Sequence, residues 1–214
     1  MKKKKEIILD GKNWGVFLLP KCKLFSGKSK FQKIELYEHD FFGKVLVLDD
    51  GFQTSELDEF LFHESLVQYP LFAHPNPKKI LIVGGGDGGS LEEAVKHKTL
   101  GRIVMIEIDK MVVEVSKKFL GKIHRNAFDD KRVELRYMDG IDYVAKCDEK
   151  FDVVILDLTA TVGEATKLFT KEFYESVRSV LHENGVVSLH TSYYFSYPEE
   201  FGRIIHTLKS VFKH

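Results

Sequence analysis

The sequence predicts an α/β protein, with a mostly parallel sheet carrying helices on both faces and a small antiparallel β domain before it. Three observations predict this. Ile80-Leu81-Ile82-Val83 is a short apolar run followed at once by Gly84-Gly85-Gly86-Asp87-Gly88-Gly89. From there to residue 214, strand-like and helix-like segments alternate, the pattern that generates a parallel sheet. The first 54 residues instead show strand patterning punctuated by Gly11, Gly15, Gly27 and Gly43.

In chain order, Phe31–Tyr37 alternates well enough for a strand. Lys44–Leu48 carries Val-Leu-Val-Leu and closes on Asp49-Asp50-Gly51, a strand and its turn. Residues 1–54 therefore read as an antiparallel β domain, and residues 55–214 as the α/β domain. From Glu56 to Tyr69 the pattern turns helical, with Leu57, Phe60, Leu61, Leu66 and Val67 able to share a face. Pro70, Pro75 and Pro77 are expected to break that helix. The strands that follow are Ile80–Val83, Ile103–Ile108, Val133–Tyr137, Phe151–Leu156 and Val186–Leu189. The helices are Leu91–Lys98, Lys110–Leu120, a short Gly140–Ala145, Lys171–Leu181, and a last one from Glu199 to about Phe212.

Composition narrows the function. Lys plus Arg and Asp plus Glu each total 32, so no net charge draws the chain to nucleic acid. Lys2–Lys5 precedes an apolar run, Ile7–Leu9, too short for a signal peptide or a membrane span. The two cysteines, Cys22 and Cys147, lie far apart. No metal-ligand spacing is present, and a reduced, cytoplasmic protein without a bound metal or cofactor is expected.

A strand, a glycine turn and a helix start make a nucleotide cradle, because glycines let the backbone turn sharply and approach a ligand closely. Ligands of such sheets bind at the carboxyl ends of the strands. Those ends carry Asp87, Glu107, Asp139 and Asp157. Glu107 lies about 20 residues on, the usual place for a carboxylate that grips ribose hydroxyls. A pyrophosphate would meet the Asp87 charge, whereas a cationic nucleoside fits four converging carboxylates. Asp109 and Asp139 also suit helix N-caps, and Asp157 alone suits a turn. The histidines are scattered: His74, His97, His124, His182, His206 and His214 read as surface or loop residues, and His39 and His190 show no pattern.

Several motifs in order resemble the spermidine synthase family of aminopropyltransferases. They are Val45–Asp49 with Gln53-Thr54, Asp58-Glu59-Phe60, His63-Glu64, Pro75–Lys79, Gly84–Gly89, Glu107-Ile108-Asp109, Asp139-Gly140, Asp157, Leu168-Phe169-Thr170 and Phe173-Tyr174. The resemblance implies a Rossmann-like, methyltransferase-type catalytic domain. It also implies decarboxylated S-adenosylmethionine as co-substrate, a diamine such as putrescine as acceptor, and a homo-oligomer formed through the N-terminal sheet. On this resemblance Asp87 holds the donor's terminal amine with His63 nearby, and Glu107 binds the ribose. Asp139 and Gly140 face the adenine, Gln32 contacts the donor from the N-terminal side, Gln53 lies toward the acceptor, and Asp157 stands beside the reacting centre.

Departures from the family pattern fall on the acceptor side. Ala160 stands where the family has a second aspartate, and Phe62 where it has tyrosine. Glu164 is the nearest residue that would substitute for the missing carboxylate. Family members also continue past the last helix into two strands that complete the amine site. Two other readings stay open: a methyltransferase using intact S-adenosylmethionine, and a non-catalytic member that binds a nucleoside or a partner subunit.

Overall fold

Three sheets follow one another along the chain. The computed structural model describes residues 6–9, 15–159, 163–191 and 194–213. Strands β1 (Glu6–Leu9) and β2 (Gly15–Leu18) pair as an antiparallel ribbon. Strands β3 (Cys22–Lys28), β4 (Lys33–His39), β5 (Gly43–Leu48) and β6 (Gly51–Ser55) form an antiparallel meander. The N-terminal segment thus makes two sheets rather than one. Helix α1 (Glu59–Ala73) leads into the third sheet.

The third sheet alternates with its helices. Its elements are β7 (Lys79–Gly84), α2 (Gly89–Val95), β8 (Arg102–Glu107), α3 (Lys110–Phe119), a short α4 (Gly121–His124) and β9 (Val133–Tyr137). They continue with α5 (Gly140–Lys146), β10 (Phe151–Asp157), α6 (Lys171–Ser179), β11 (Leu181–Leu189) and α7 (Pro198–Val211). The strand order is β11-β10-β7-β8-β9, and every pairing is parallel. The first strand therefore lies in the middle, and the connections change direction between β7 and β10.

Two-residue periodicity splits the sheet's apolar residues between two cores. Ile80, Ile82, Ile103, Met105, Val153 and Ile155 pack with residues of α1, α2 and α3. Leu81, Val83, Val104, Ile106, Val154 and Leu156 pack with residues of α5, α6 and α7. Near-continuous apolar strands are what a sheet covered on both faces requires. The meander attaches to the parallel domain through one face: Ile34, Leu36, Leu46 and Leu48 meet Val112, Val115, Leu120 and Ile123 of the α3–α4 region.

Helix α1 corrects two expectations. It runs through Pro70 instead of stopping at Tyr69. A proline inside a helix costs about 3 kcal/mol, but Leu66, Val67 and Leu71 around it are all buried, and each contributes roughly 1.5–3 kcal/mol. Burial wins. The buried face is His63, Leu66, Val67, Pro70 and Leu71, whereas Leu57, Phe60 and Leu61 are exposed. Apolar side chains lie on more than one side of the helix, and of the expected face only Leu66 and Val67 are buried. His74 and His124, expected at the surface, are buried. Strand β11 begins earlier than expected, at Leu181. It pairs with Phe151 there and resumes at Val186 opposite Val153, with the polar His182–Gly185 segment between. Among the described residues, no helix is long and apolar enough to cross a membrane.

Candidate active site

The carboxyl ends of β7 and β10 meet where the connections change direction, and the glycine turn is built there. Gly84 lies opposite Asp157 in the ladder with φ +86°. A Cβ at Gly84 would stand 1.9 Å from the Asp157 carbonyl oxygen, so only glycine fits. The next residue, Gly85, donates its N–H to that same carbonyl at 3.0 Å. The turn is thereby fastened to the backbone of Asp157, and the Asp157 side chain is held at its rim.

Three predicted residues come together at this rim. One ligand atom from each of His63, Asp87 and Asp157 lies within 4.8 Å of the others. The Asp87 Oδ1 accepts the Gly89 N–H at 2.9 Å, and its Oδ2 lies 3.4 Å from His63 Nε2. The other side of the imidazole, Nδ1, lies 2.7 Å from the Glu59 carboxylate. The ring lies against Gly89, where a Cβ would come within 2.2 Å of it. Ser90 donates its hydroxyl to Asp157 Oδ2 at 2.6 Å.

These surroundings set the two aspartates apart. Burial and the Asp87 charge raise Asp157, against the opposing pull of His63, Ser90 and His190. Burial would raise Asp87 too, but the His63 charge and hydrogen bond and the Gly89 N–H outweigh it and lower it. Burial would lower His63. The charge and hydrogen bond of Asp87, the hydrogen bond of Glu59 and the Asp157 charge outweigh it, and the imidazole rises well above 6.5. One carboxylate thus holds charge while its neighbour is the better proton acceptor, a separation typical of sites that divide binding from proton transfer.

The second strand end carries Glu107, which is buried. Its Oε1 accepts the Asp109 N–H at 2.8 Å, and Oε2 faces Gly86. Burial pushes its carboxyl up to about 7; the Asp109 and Asp157 charges add to this and backbone N–H bonds oppose it. Asp109 is the N-cap of α3, accepting from Met111 N–H. Its Oδ2 also receives Ser29 at 2.6 Å and the Gln32 amide at 3.1 Å. Gln32 therefore reaches this end of the sheet through Asp109. Met138 donates its N–H to the Glu107 carbonyl at 3.1 Å, which sets Asp139 beside it. Asp139 caps α5 through Ile141 N–H at 2.8 Å, and Gly140 leaves room for Val83.

The residues expected on the acceptor side are less closely tied. Gln53 is the extra residue of a bulge in β6, since Leu46 pairs with Thr54 and Val47 with Phe52. Bulges re-aim side chains next to sites. Its amide donates to the Gly51 carbonyl at 3.3 Å. Phe62 stands edge-on to both His63 and His190, each at 5.1 Å. Ala160 and the Glu164 side chain lie outside the described residues. Sequence reasoning missed Glu59, Ser90 and His190. The Glu59–His63 spacing of four residues was a usable signal. His190 contacts the Leu158 carbonyl just past β10, and only the strand order reveals that.

Glu107 gives a testable pH effect. If Glu107 takes the ribose hydroxyls, as the family resemblance implies, they donate best to the ionised carboxylate, and ligand binding would draw the proton off a carboxyl that burial pushes up to about 7. Methylthioadenosine affinity is expected to rise from pH 6 to pH 8. Glu107→Gln should flatten that rise and weaken binding at pH 8 by roughly tenfold to a hundredfold. Calorimetry at the two pH values measures both; equal wild-type affinities would contradict the assignment.

A parallel sheet in this order, with a glycine turn after its central strand and a carboxylate ending the next, defines a domain of the methyltransferase-like fold class. Residues 59–214 match the spermine/spermidine synthase domain, and residues 8–56 match the spermidine synthase tetramerisation domain. The chain belongs to the spermine/spermidine synthase family. It is 46% identical over 175 residues to the polyamine aminopropyltransferase of Thermococcus onnurineus, covering 82% of this chain and 62% of that protein. It is 45% identical over 164 residues to that of Methanocaldococcus jannaschii, covering 77% and 56%. The chain thus spans roughly three fifths of the length of these relatives. A spermidine synthase solved with the transition-state analogue AdoDATO superposes with a TM-score of 0.95 at 36% identity, covering all of this chain and 73% of that one. The spermidine synthase of Thermotoga maritima gives 0.92 at 36% identity, covering all of this chain and 72% of that one.

Proposed function

We propose that the protein is a polyamine aminopropyltransferase of the spermidine synthase type. It moves the aminopropyl group of decarboxylated S-adenosylmethionine to a diamine such as putrescine and releases methylthioadenosine. The observation that carries this reading is the pairing of Asp87 and Asp157 across the glycine turn, with His63 between Asp87 and Glu59. The donor is a sulfonium with a free amine and no carboxylate, and carboxylates suit such a cation.

The roles are those the family resemblance implies, and the geometry supports them. Asp87, held low, binds the donor's terminal ammonium with His63 beside it. Glu107 takes the ribose hydroxyls, Asp139 and Gly140 flank the adenine, and Gln32 closes the donor side through Asp109. The acceptor amine attacks the carbon next to sulfur, so it must arrive neutral although alkyl amines titrate near ~10 in water. Asp157 is placed to accept the hydrogen bond and then the proton of that nitrogen. Its raised affinity for protons makes it a better acceptor than an ordinary carboxylate, and holding the amine in line supplies much of the acceleration. Gln53 lies toward the acceptor.

In this reading residues 1–54 assemble copies of the chain and residues 55–214 perform the chemistry. The protein acts on small molecules as a cytoplasmic homo-oligomer, without a bound cofactor. Incubation with the decarboxylated donor and a panel of diamines tests the proposal. Methylthioadenosine and the aminopropylated amine should appear in equal amounts. Methyl transfer from intact S-adenosylmethionine, or binding without turnover of any amine, would overturn it.

A further inference from the structure

We infer that seating of the donor's ammonium at Asp87 expels a proton from His63, and that Glu59 is the positioning residue that makes this exchange possible. The inference rests on the aminopropyl-transfer reading of the site and deepens it.

The imidazole is sealed in place. His63 is 1% exposed, the Glu59 carboxylate 10% and Asp87 13%. The ring lies against the bare face of Gly89, and Phe62 stands edge-on to it. Its two nitrogens face different carboxylates, Nδ1 toward Glu59 and Nε2 toward Asp87. The two contacts are unequal. Nδ1 to Glu59 is 2.7 Å, the length of a charge-assisted hydrogen bond, whereas Nε2 to Asp87 is 3.4 Å, a longer and weaker contact. Glu59 therefore fixes a proton on Nδ1, and the Nε2 proton is only loosely held by Asp87.

The charges facing the ring come from three elements besides His63's own neighbour on α1. Glu59 stands on α1, Asp87 on the glycine turn and Asp157 at the end of β10, while His190 after β11 reaches the group through Phe62. Three carboxylates around one imidazole favour the imidazolium in the empty site, in line with its raised titration. An arriving ammonium brings a second positive charge to Asp87. Two cations sharing one carboxylate repel. The Nε2–H bond breaks, the proton passes to the buffer, and the electron pair left on Nε2 accepts a hydrogen bond from the bound ammonium. The Nδ1–H to Glu59 stays intact, so the neutral ring is held in the tautomer that points its lone pair into the site.

Calorimetry of the whole chain in phosphate and in Tris at pH 7.5, with no acceptor present, reads the proton count from the dependence of the heat on the buffer. Decarboxylated S-adenosylmethionine is expected to release about one proton more than methylthioadenosine. Methylthioadenosine shares the nucleoside half, including the contact to Glu107, but lacks both the ammonium and the sulfonium charge, so the extra proton is assigned to the imidazole by its loss in the variants. Glu59→Gln and His63→Gln should still bind methylthioadenosine and lose most of that extra proton. Equal proton release by the two ligands in the wild-type protein overturns the inference and leaves the aminopropyl reading standing. So does an extra proton that persists in His63→Gln, since it would come from Asp157. Failure of the wild-type protein to bind either ligand overturns the reading of the site and this inference with it.

Discussion

Asp157→Asn is expected to cut turnover by about a hundredfold to ten-thousandfold, the usual worth of a positioned proton acceptor. Asparagine keeps the shape and can still accept from Ser90, which donates to Oδ2 at 2.6 Å. It cannot take a proton. The fold should be spared, because the bond that anchors the turn runs from Gly85 N–H to the backbone carbonyl of residue 157 and not to its side chain. Methylthioadenosine affinity should therefore change by no more than about threefold, under 1 kcal/mol. The effect should appear in kcat, measured with saturating decarboxylated donor and putrescine. The wild-type rate should fall on the acid side as Asp157 becomes protonated, and that limb should sit above the ordinary carboxylate range, because burial and Asp87 raise the group. Less than tenfold loss of kcat would mean that another group takes the proton.

Gly84→Ala is expected to unfold the protein more readily by about 3 kcal/mol or more. Two costs add. A left-handed backbone costs an L-residue roughly 1–2 kcal/mol, and φ is +86° here. The new methyl would also lie 1.9 Å from the Asp157 carbonyl oxygen, and overpacking costs typically 1–3 kcal/mol. That oxygen has little freedom to move, since it accepts from Gly85 and sits in the ladder between β7 and β10. For a chain of this size the melting temperature should drop by roughly 6–12 °C. Gly202→Ala is the control: it lies within α7 and a Cβ there meets nothing within 4 Å. It should be neutral or stabilising by up to about 1 kcal/mol. Equal melting temperatures for Gly84→Ala and wild type would remove the glycine turn from the account.

What the sequence disclosed, and what it concealed, follows from the range of each interaction. Strands β7, β8 and β10 were legible because each is an apolar run ended by glycine or an acidic residue. The carboxylates were legible for the same reason: Asp87, Glu107, Asp139 and Asp157 all stand at strand ends. Asp109 and Asp139 were readable as caps because capping reaches only two residues along the chain. The errors came where tertiary packing decides. Pro70 reads as a helix stop, yet buried neighbours carry α1 through it. The expected face of α1 was only half right: Leu66 and Val67 are buried, but Phe60 and Leu61 are exposed and the buried face includes His63. His182–Gly185 looks like a turn although it lies within β11. Ser90 and His190 were invisible as site residues because they reach Asp157 and Leu158, respectively, from distant parts of the chain.

The central claim is that the carboxylate cluster at the glycine turn is built for an aminopropyl donor. The most direct measurement is the affinity of the wild-type protein and of Asp87→Asn for decarboxylated and for intact S-adenosylmethionine, by calorimetry at one salt concentration. The two ligands differ only in the carboxylate beside the amine, which would meet the Asp87 charge in a partly desolvated site where like charges repel strongly. The account predicts that wild type binds the decarboxylated ligand at least about tenfold more tightly, a difference of roughly 1.4 kcal/mol, and that Asp87→Asn narrows the gap. Equal affinities in wild type, or a preference for the intact ligand, would contradict it.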